Sequence, residues 1–223
     1  MIAELEQAQS LFVNESRLVR RHVLTALAIS LVHTIICLFY FIGGYFNATI
    51  VSFTVLFAGS WLGNGWIYFL VTRDITAGWR DPSLSVPIML WLTSSFLVSS
   101  YYVDAFRISV LMLFFGATLL GSFRCGFWKI ASLSVFACLG YALVLVLAFQ
   151  DRSMSLSLSV EGLQWLIFSL SCAGFSITGI GIHKLRGRLS NKNEELSHAL
   201  EQVRNMAIRD ELTGLFNRRH ILD

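Results

Sequence analysis

"VLTALAISLVHTIICLFYFIGGYF", Val23 to Phe46, decides what kind of fold this chain can have. The stretch holds no Lys, Arg, Asp or Glu, and it exceeds the roughly 20 apolar residues that cross a bilayer core. The 223-residue chain is 55% apolar and only 14% charged, with a mean hydropathy of +0.65. A water-facing surface needs more charge than that. In hydrocarbon every backbone N–H and C=O must be paired within the protein, so the stretch is expected to be a helix.

Working outward, five more apolar stretches follow: Thr49 to Thr72, Leu84 to Val103, Ile108 to Phe123, Phe127 to Phe149 and Val160 to Ile182. The expected fold is an all-α membrane protein, a six-transmembrane-helix bundle over residues 23–182 followed by a cytoplasmic coiled-coil helix. The fourth stretch is short, and Arg107 and Arg124 at its ends have stems long enough to reach the interfaces.

Lys and Arg set the orientation, because cytoplasmic loops hold an excess of both. With the N-terminus inside, ten fall on the inner side (Arg17, Arg20, Arg21, Arg73, Arg80, Arg124, Lys129, Lys184, Arg186, Arg188) and two, Arg107 and Arg152, on the outer. Both termini are therefore expected in the cytoplasm of a multi-pass protein.

Residues 1–22 form a cytoplasmic or interfacial segment. Ile2, Leu5, Phe12 and Val19 fit one face of a surface helix, and a partly ordered tail fits as well. Glu4 and Glu6 precede the Arg cluster and no small-residue cleavage site follows, which favours an anchor over a removed signal peptide. The net charge of +3 comes from loops, and no basic stripe with interleaved aromatics suggests nucleic acid. Cys37, Cys125, Cys138 and Cys172 have no C-x-x-C spacing and no histidine pair beside them, so neither a metal site nor a redox use is expected.

From His183 the composition turns polar and helix-favouring. Leu185, Leu189, Lys192, Leu196, Ala199, Val203 and Met206 alternate spacings of four and three, a heptad seam over residues 183–209. Lys192 interrupts it and Gly187 is its soft point. A parallel coiled coil, or a single amphipathic helix packed on its own domain, both satisfy the pattern.

The chain ends on "RDELTGLFNRRHILD", and Asp210 to Arg219 resembles the D-x-L-T-G-L-x-N-R-R opening of the GGDEF family, the diguanylate cyclases that make cyclic di-GMP from two GTP. The resemblance implies that residues 210–223 begin such a catalytic domain, with Asp210, Asn217 and Arg218 holding the incoming helix in a fixed relation to it. Asp210 suits a helix cap on chemical grounds too. The family's GG[DE]EF loop, metal-binding aspartates and guanine-binding residues are absent, so these residues hold no catalytic set. The expectation is the sensor part of a longer cyclase, whose missing domain would use GTP and Mg. The apolar part resembles the six-helix MASE-type sensors found before such domains.

Polar and aromatic groups at membrane depth are the candidate sites, because an unpaired polar group there is costly. His33 lies near the middle of the first stretch, where it either bonds a neighbouring helix or lines a ligand cavity. Asn64 follows Gly59-x-x-x-Gly63, which fits close helix packing or ligand recognition. Trp61 and Trp91 are aromatic candidates. Asp104 and Arg107, beside Tyr101 and Tyr102, form either an interfacial pair or the seat of a charged head group. Gly174, Thr178 and Gly181 make a small-residue stripe suited to a dimer seam or to contact within one bundle. With Leu189, Leu196 and Val203 they form the candidate signalling set.

The expected function is a transmembrane sensor and dimerisation module that binds a signal in the bundle and controls a C-terminal diguanylate cyclase through a parallel coiled coil. Its expected partners are a second copy, membrane lipid and a small hydrophobic ligand. The competing expectation is a small transporter or channel with an incidental tail. Against it, the sequence has no internal repeat, and its only prolines, Pro82 and Pro87, lie at one loop and helix start.

Overall fold

The computed structural model describes residues 2–73, 75–76, 79, 81, 84–103, 106–122, 125–152 and 157–208. Among them are seven helices: α1 (Ile2–Ile42), α2 (Ile50–Thr72), α3 (Ser85–Tyr102), α4 (Arg107–Leu111), α5 (Leu113–Ser122), α6 (Phe127–Arg152) and α7 (Leu158–Ile208). The chain divides into a unit over residues 1–180 and a second over residues 181–223. Asp104 and the motif residues Asp210, Asn217 and Arg218 lie outside the described residues.

Four helical segments are long and apolar enough to cross a membrane: Val19–Ile42, Ile50–Thr72, Phe127–Asp151 and Ser159–Glu201. The other two expected crossings differ from these for physical reasons. Helix α3 is 18 residues long and rich in serine. It packs against α1, α2, α4, α5 and α6, so protein rather than lipid surrounds much of it. Thr93 bonds back to the carbonyl of Met89 at 2.7 Å, Ser95 to Trp91 at 3.0 Å and Ser99 to Ser95 at 2.9 Å. A central helix that satisfies its hydroxyls this way can hold fewer apolar residues than one facing lipid.

The fourth stretch is interrupted after Leu111. Met112 keeps a right-handed helical backbone, φ −58° and ψ −26°, and separates α4 from α5. The apolar segment Arg107–Leu119 reaches only about 20 Å at roughly 1.5 Å per residue, short of the ~30 Å hydrocarbon core.

The turns follow local chemistry. Helix α1 ends with the amide of Tyr45 on the carbonyl of Tyr40 at 2.8 Å and that of Gly44 on Phe41 at 3.2 Å. Gly44 sits at φ +77°. This double bond pattern around a left-handed glycine is a Schellman cap. Thr49 then caps α2, its hydroxyl accepting from the Ser52 amide at 3.1 Å. The amide of Asn47 donates to the carbonyl of Tyr102 at 2.7 Å, and Phe46 bridges Val103. The α1–α2 turn is thereby fixed to the end of α3.

The core lies along α3, with Met89, Leu92 and Phe96 buried against Phe114 of α5 and Ile130, Leu133 and Ala137 of α6. The part of α7 before residue 181 is held by side chains. Phe168 meets Phe114, Phe115 and Tyr141, Trp165 donates to the Cys138 carbonyl at 3.0 Å, and the hydroxyls of Ser134 and Ser176 lie 3.1 Å apart.

In the second unit α7 continues to Ile208. Leu185, Leu189, Leu196, Leu200 and Val203 are all more than half exposed there.

Candidate functional site

His33 is buried to 2% exposure in the apolar part of α1, Val19–Ile42. Its ring meets Phe96 edge-on with centroids 4.9 Å apart, and Phe57 at a tilt, 5.5 Å away. Burial on this scale normally comes with hydrogen bonds. His33 Nε2, however, is buried and makes none.

In front of this imidazole is a cleft of about 220 Å³. Leu56, Phe57, Gly59 and Ser60 of α2 form one wall. Trp91, Ser94, Ser95, Val98 and Ser99 of α3 form the other, at the three- and four-residue spacing of one helical face. Ser60 and Ser95 lie hydroxyl to hydroxyl at 3.3 Å across the two walls. Ser95 and Ser99 also bond to carbonyls of their own helix, whereas His33 Nε2 has no partner. Trp91 and Val98 are both partly exposed at the mouth.

Trp91 takes its position from glycine. Its indole lies so close to Gly63 that a Cβ there would fall 2.1 Å from the ring, and Nε1 donates to the Ser60 carbonyl at 3.3 Å. Small residues at a helix contact permit this approach.

The other expected site residues fall into different places. Trp61 does not line the cleft; its Nε1 donates to Thr34 Oγ1 at 3.0 Å, tying α2 to α1. Asn64 is buried at 5% exposure with Nδ2 making no hydrogen bond, away from the cleft lining. Tyr101 donates its hydroxyl to Asp151 at the end of α6. Arg107 turns inward instead of reaching for an interface. It is fully buried and bonded to Glu161, Nη1 to Oε1 at 2.5 Å, with Nε on the carbonyl of Ser100 at 2.8 Å. Its expected neighbour Asp104 lies outside the described residues.

Gly174 and Thr178 are exposed, and the Thr178 hydroxyl bonds back to the Gly174 carbonyl at 3.0 Å. Gly181, in the second unit, is exposed as well, and a Cβ at Gly174 or Gly181 would meet nothing within 4 Å. Leu189, Leu196 and Val203 are exposed at 56%, 59% and 59%.

Three features escaped the sequence. Glu161 read as one acid at the start of an apolar stretch, and nothing local connects it with an arginine 54 residues earlier. The cleft wall on α3 was legible in principle, since Trp91, Ser94, Ser95, Val98 and Ser99 share a face. A second groove of about 410 Å³ lies between α6 and α7 and includes Ser134, Cys138, Ser169, Cys172 and Ser176. Among the described residues no group of three or more His, Cys, Asp or Glu side chains is placed to hold a metal ion.

Comparison with known proteins finds no matching family model, curated protein or solved structure. The chain is an all-α protein with several helices apolar enough to span a membrane.

Proposed function

We propose that this chain is the sensing and dimerising part of a membrane-bound diguanylate cyclase. In this reading α3 and the α4–α5 pair cross the bilayer with the four longer apolar segments, giving six crossings. Both termini lie in the cytoplasm of a bacterial inner membrane. A small hydrophobic ligand binds in the bundle, and the heptad segment pairs with that of a second copy to align two catalytic domains, each supplied with GTP and Mg.

The observation that carries the reading is the apolar row on the last helix. Leu185, Leu189, Leu196 and Val203 recur at coiled-coil spacing and are exposed at 56–59%, immediately before the Asp210–Arg219 motif. Exposed leucines in a heptad are what a second helix covers in a parallel coil. The chemistry implied beyond the motif needs two nucleotide-loaded sites face to face, so a paired rod that turns or shifts register by a few ångströms is a sufficient switch.

The test is the double variant Leu196→Asp, Val203→Asp in the full-length protein. Regulated cyclic di-GMP synthesis is expected to be lost while the bundle still inserts and folds; unchanged regulated synthesis removes the coupling.

A further inference from the structure

We infer that the cleft in front of His33 binds a six-membered ring bearing an oxygen that hydrogen-bonds to His33 Nε2, of the quinone or hydroquinone kind. The inference rests on the reading of the bundle as a ligand-binding module and names the chemistry of that ligand.

Three observations converge on it. The first is size: an apolar cavity of about 150 Å³ holds benzene in another protein, so the 220 Å³ here has room for one substituted ring. The second is polarity. Leu56, Phe57, Trp91 and Val98 offer apolar and aromatic surface, whereas His33, which also lines the cleft, has its Nε2 buried with no partner.

The third is what the alternatives leave unmet. A single water molecule can bond His33 and the serine oxygens of the cleft, but it leaves most of the 220 Å³ and its apolar walls unfilled. A lipid acyl chain would fill the volume and leave the imidazole nitrogen unbonded, at the cost of a buried unsatisfied group. A ring with a carbonyl or hydroxyl at its edge satisfies both ends of the cleft. Neutral imidazole can present Nε2 as donor or as acceptor, so it serves the oxidised carbonyl and the reduced hydroxyl alike. The partly exposed Trp91 and Val98 frame a mouth on the side of the bundle. There an apolar tail attached to the ring would remain in lipid.

The experiment uses the 223-residue chain in lipid nanodiscs and, as probe, a photoreactive azido-1,4-benzoquinone with a decyl tail. Illumination is expected to label the peptide holding Trp91 to Ser99. Decyl-benzoquinone or decyl-benzohydroquinone at equal mole fraction is expected to suppress the label, and the two competitors together show which oxidation state is preferred. Decylcyclohexane, with the same tail and no oxygen, is expected not to compete. His33→Leu should reduce labelling about tenfold, the size of one lost hydrogen bond to a buried group. Ser94→Leu, which fills the cleft and leaves His33 in place, should abolish it, and unchanged helical circular dichroism checks the fold of each.

Equal competition by decylcyclohexane, labelling spread evenly over lipid-facing residues, or full labelling of folded Ser94→Leu overturns the inference. If His33→Leu fails to fold, Ser94→Leu and the competitors decide alone. Labelling can fail while cyclic di-GMP synthesis still depends on Leu196 and Val203, so the two proposals fall separately.

Discussion

Arg107 and Glu161, 54 residues apart in the sequence, meet through Nη1 and Oε1 at 2.5 Å. The arginine is wholly buried and the glutamate side chain is 11% exposed. Glu161 occupies the first turn of α7, where the helix dipole favours an anion. Arg107 occupies the first turn of α4, where the same dipole disfavours a cation. The carboxylate and the Ser100 carbonyl therefore offset an unfavourable position as well as the desolvation. Tyr141, wholly buried, lies within electrostatic reach of both charges. The pair joins the start of α4 to the start of α7.

Breaking one side of a buried pair leaves an uncompensated charge, which costs about 3–5 kcal/mol, whereas replacing both partners by apolar groups is often neutral. Arg107→Met and Glu161→Leu are each expected to lose stability of that order in detergent unfolding. The double variant should recover most of the loss. Additive losses across the double-mutant cycle would show that the two side chains contribute independently.

The contact between Gly63 and Trp91 yields a sharper contrast. Gly63→Ala places a methyl 2.1 Å from the indole, and overpacking of this kind costs about 1–3 kcal/mol. Gly65, two residues along the same helix, has nothing within 4 Å of such a methyl. Gly65→Ala should be neutral or slightly stabilising, since glycine is a poor helix former. Thermal unfolding of the two variants checks the difference. Equal melting temperatures would place the indole elsewhere.

Much of the fold was legible because lipid restricts the options. A charge-free run longer than a bilayer core has to be helical, and α2 and α6 lie where the stretches from Thr49 and Phe127 place them, whereas α1 begins at Ile2, well before Val23, and ends at Ile42. Apolarity reports exposure to lipid, however, and α3 is largely surrounded by protein, so composition alone sets it apart from the four longer segments. The break at Met112 left no mark, because methionine is an ordinary helix residue. His33 stood out as the polar group in an apolar run. Its ring neighbours Phe57 and Phe96 are 24 and 63 residues away, contacts that only the tertiary fold creates.

The crossings of α3 and of the α4–α5 pair can be settled by labelling single cysteines with a membrane-impermeant maleimide. Ten Lys and Arg against two favour a cytoplasmic N-terminus with six crossings. Cysteine at Tyr45, Phe106 or Ser157 should then react from outside intact spheroplasts, and cysteine at Trp79 or Ser190 only after lysis. All five positions are exposed, so access depends on the membrane. Cys37, Cys125 and Cys172 are buried and Cys138 is partly buried, which makes a background with all four replaced by serine or alanine necessary to remove slow labelling. Trp79 and Phe106 flank α3 and form the decisive pair. Reaction of both from one side would mean that α3 enters and leaves by the same face, and that four segments carry the crossings. Reaction from opposite sides places the serine-rich helix across the bilayer, sheltered from lipid by the helices packed around it.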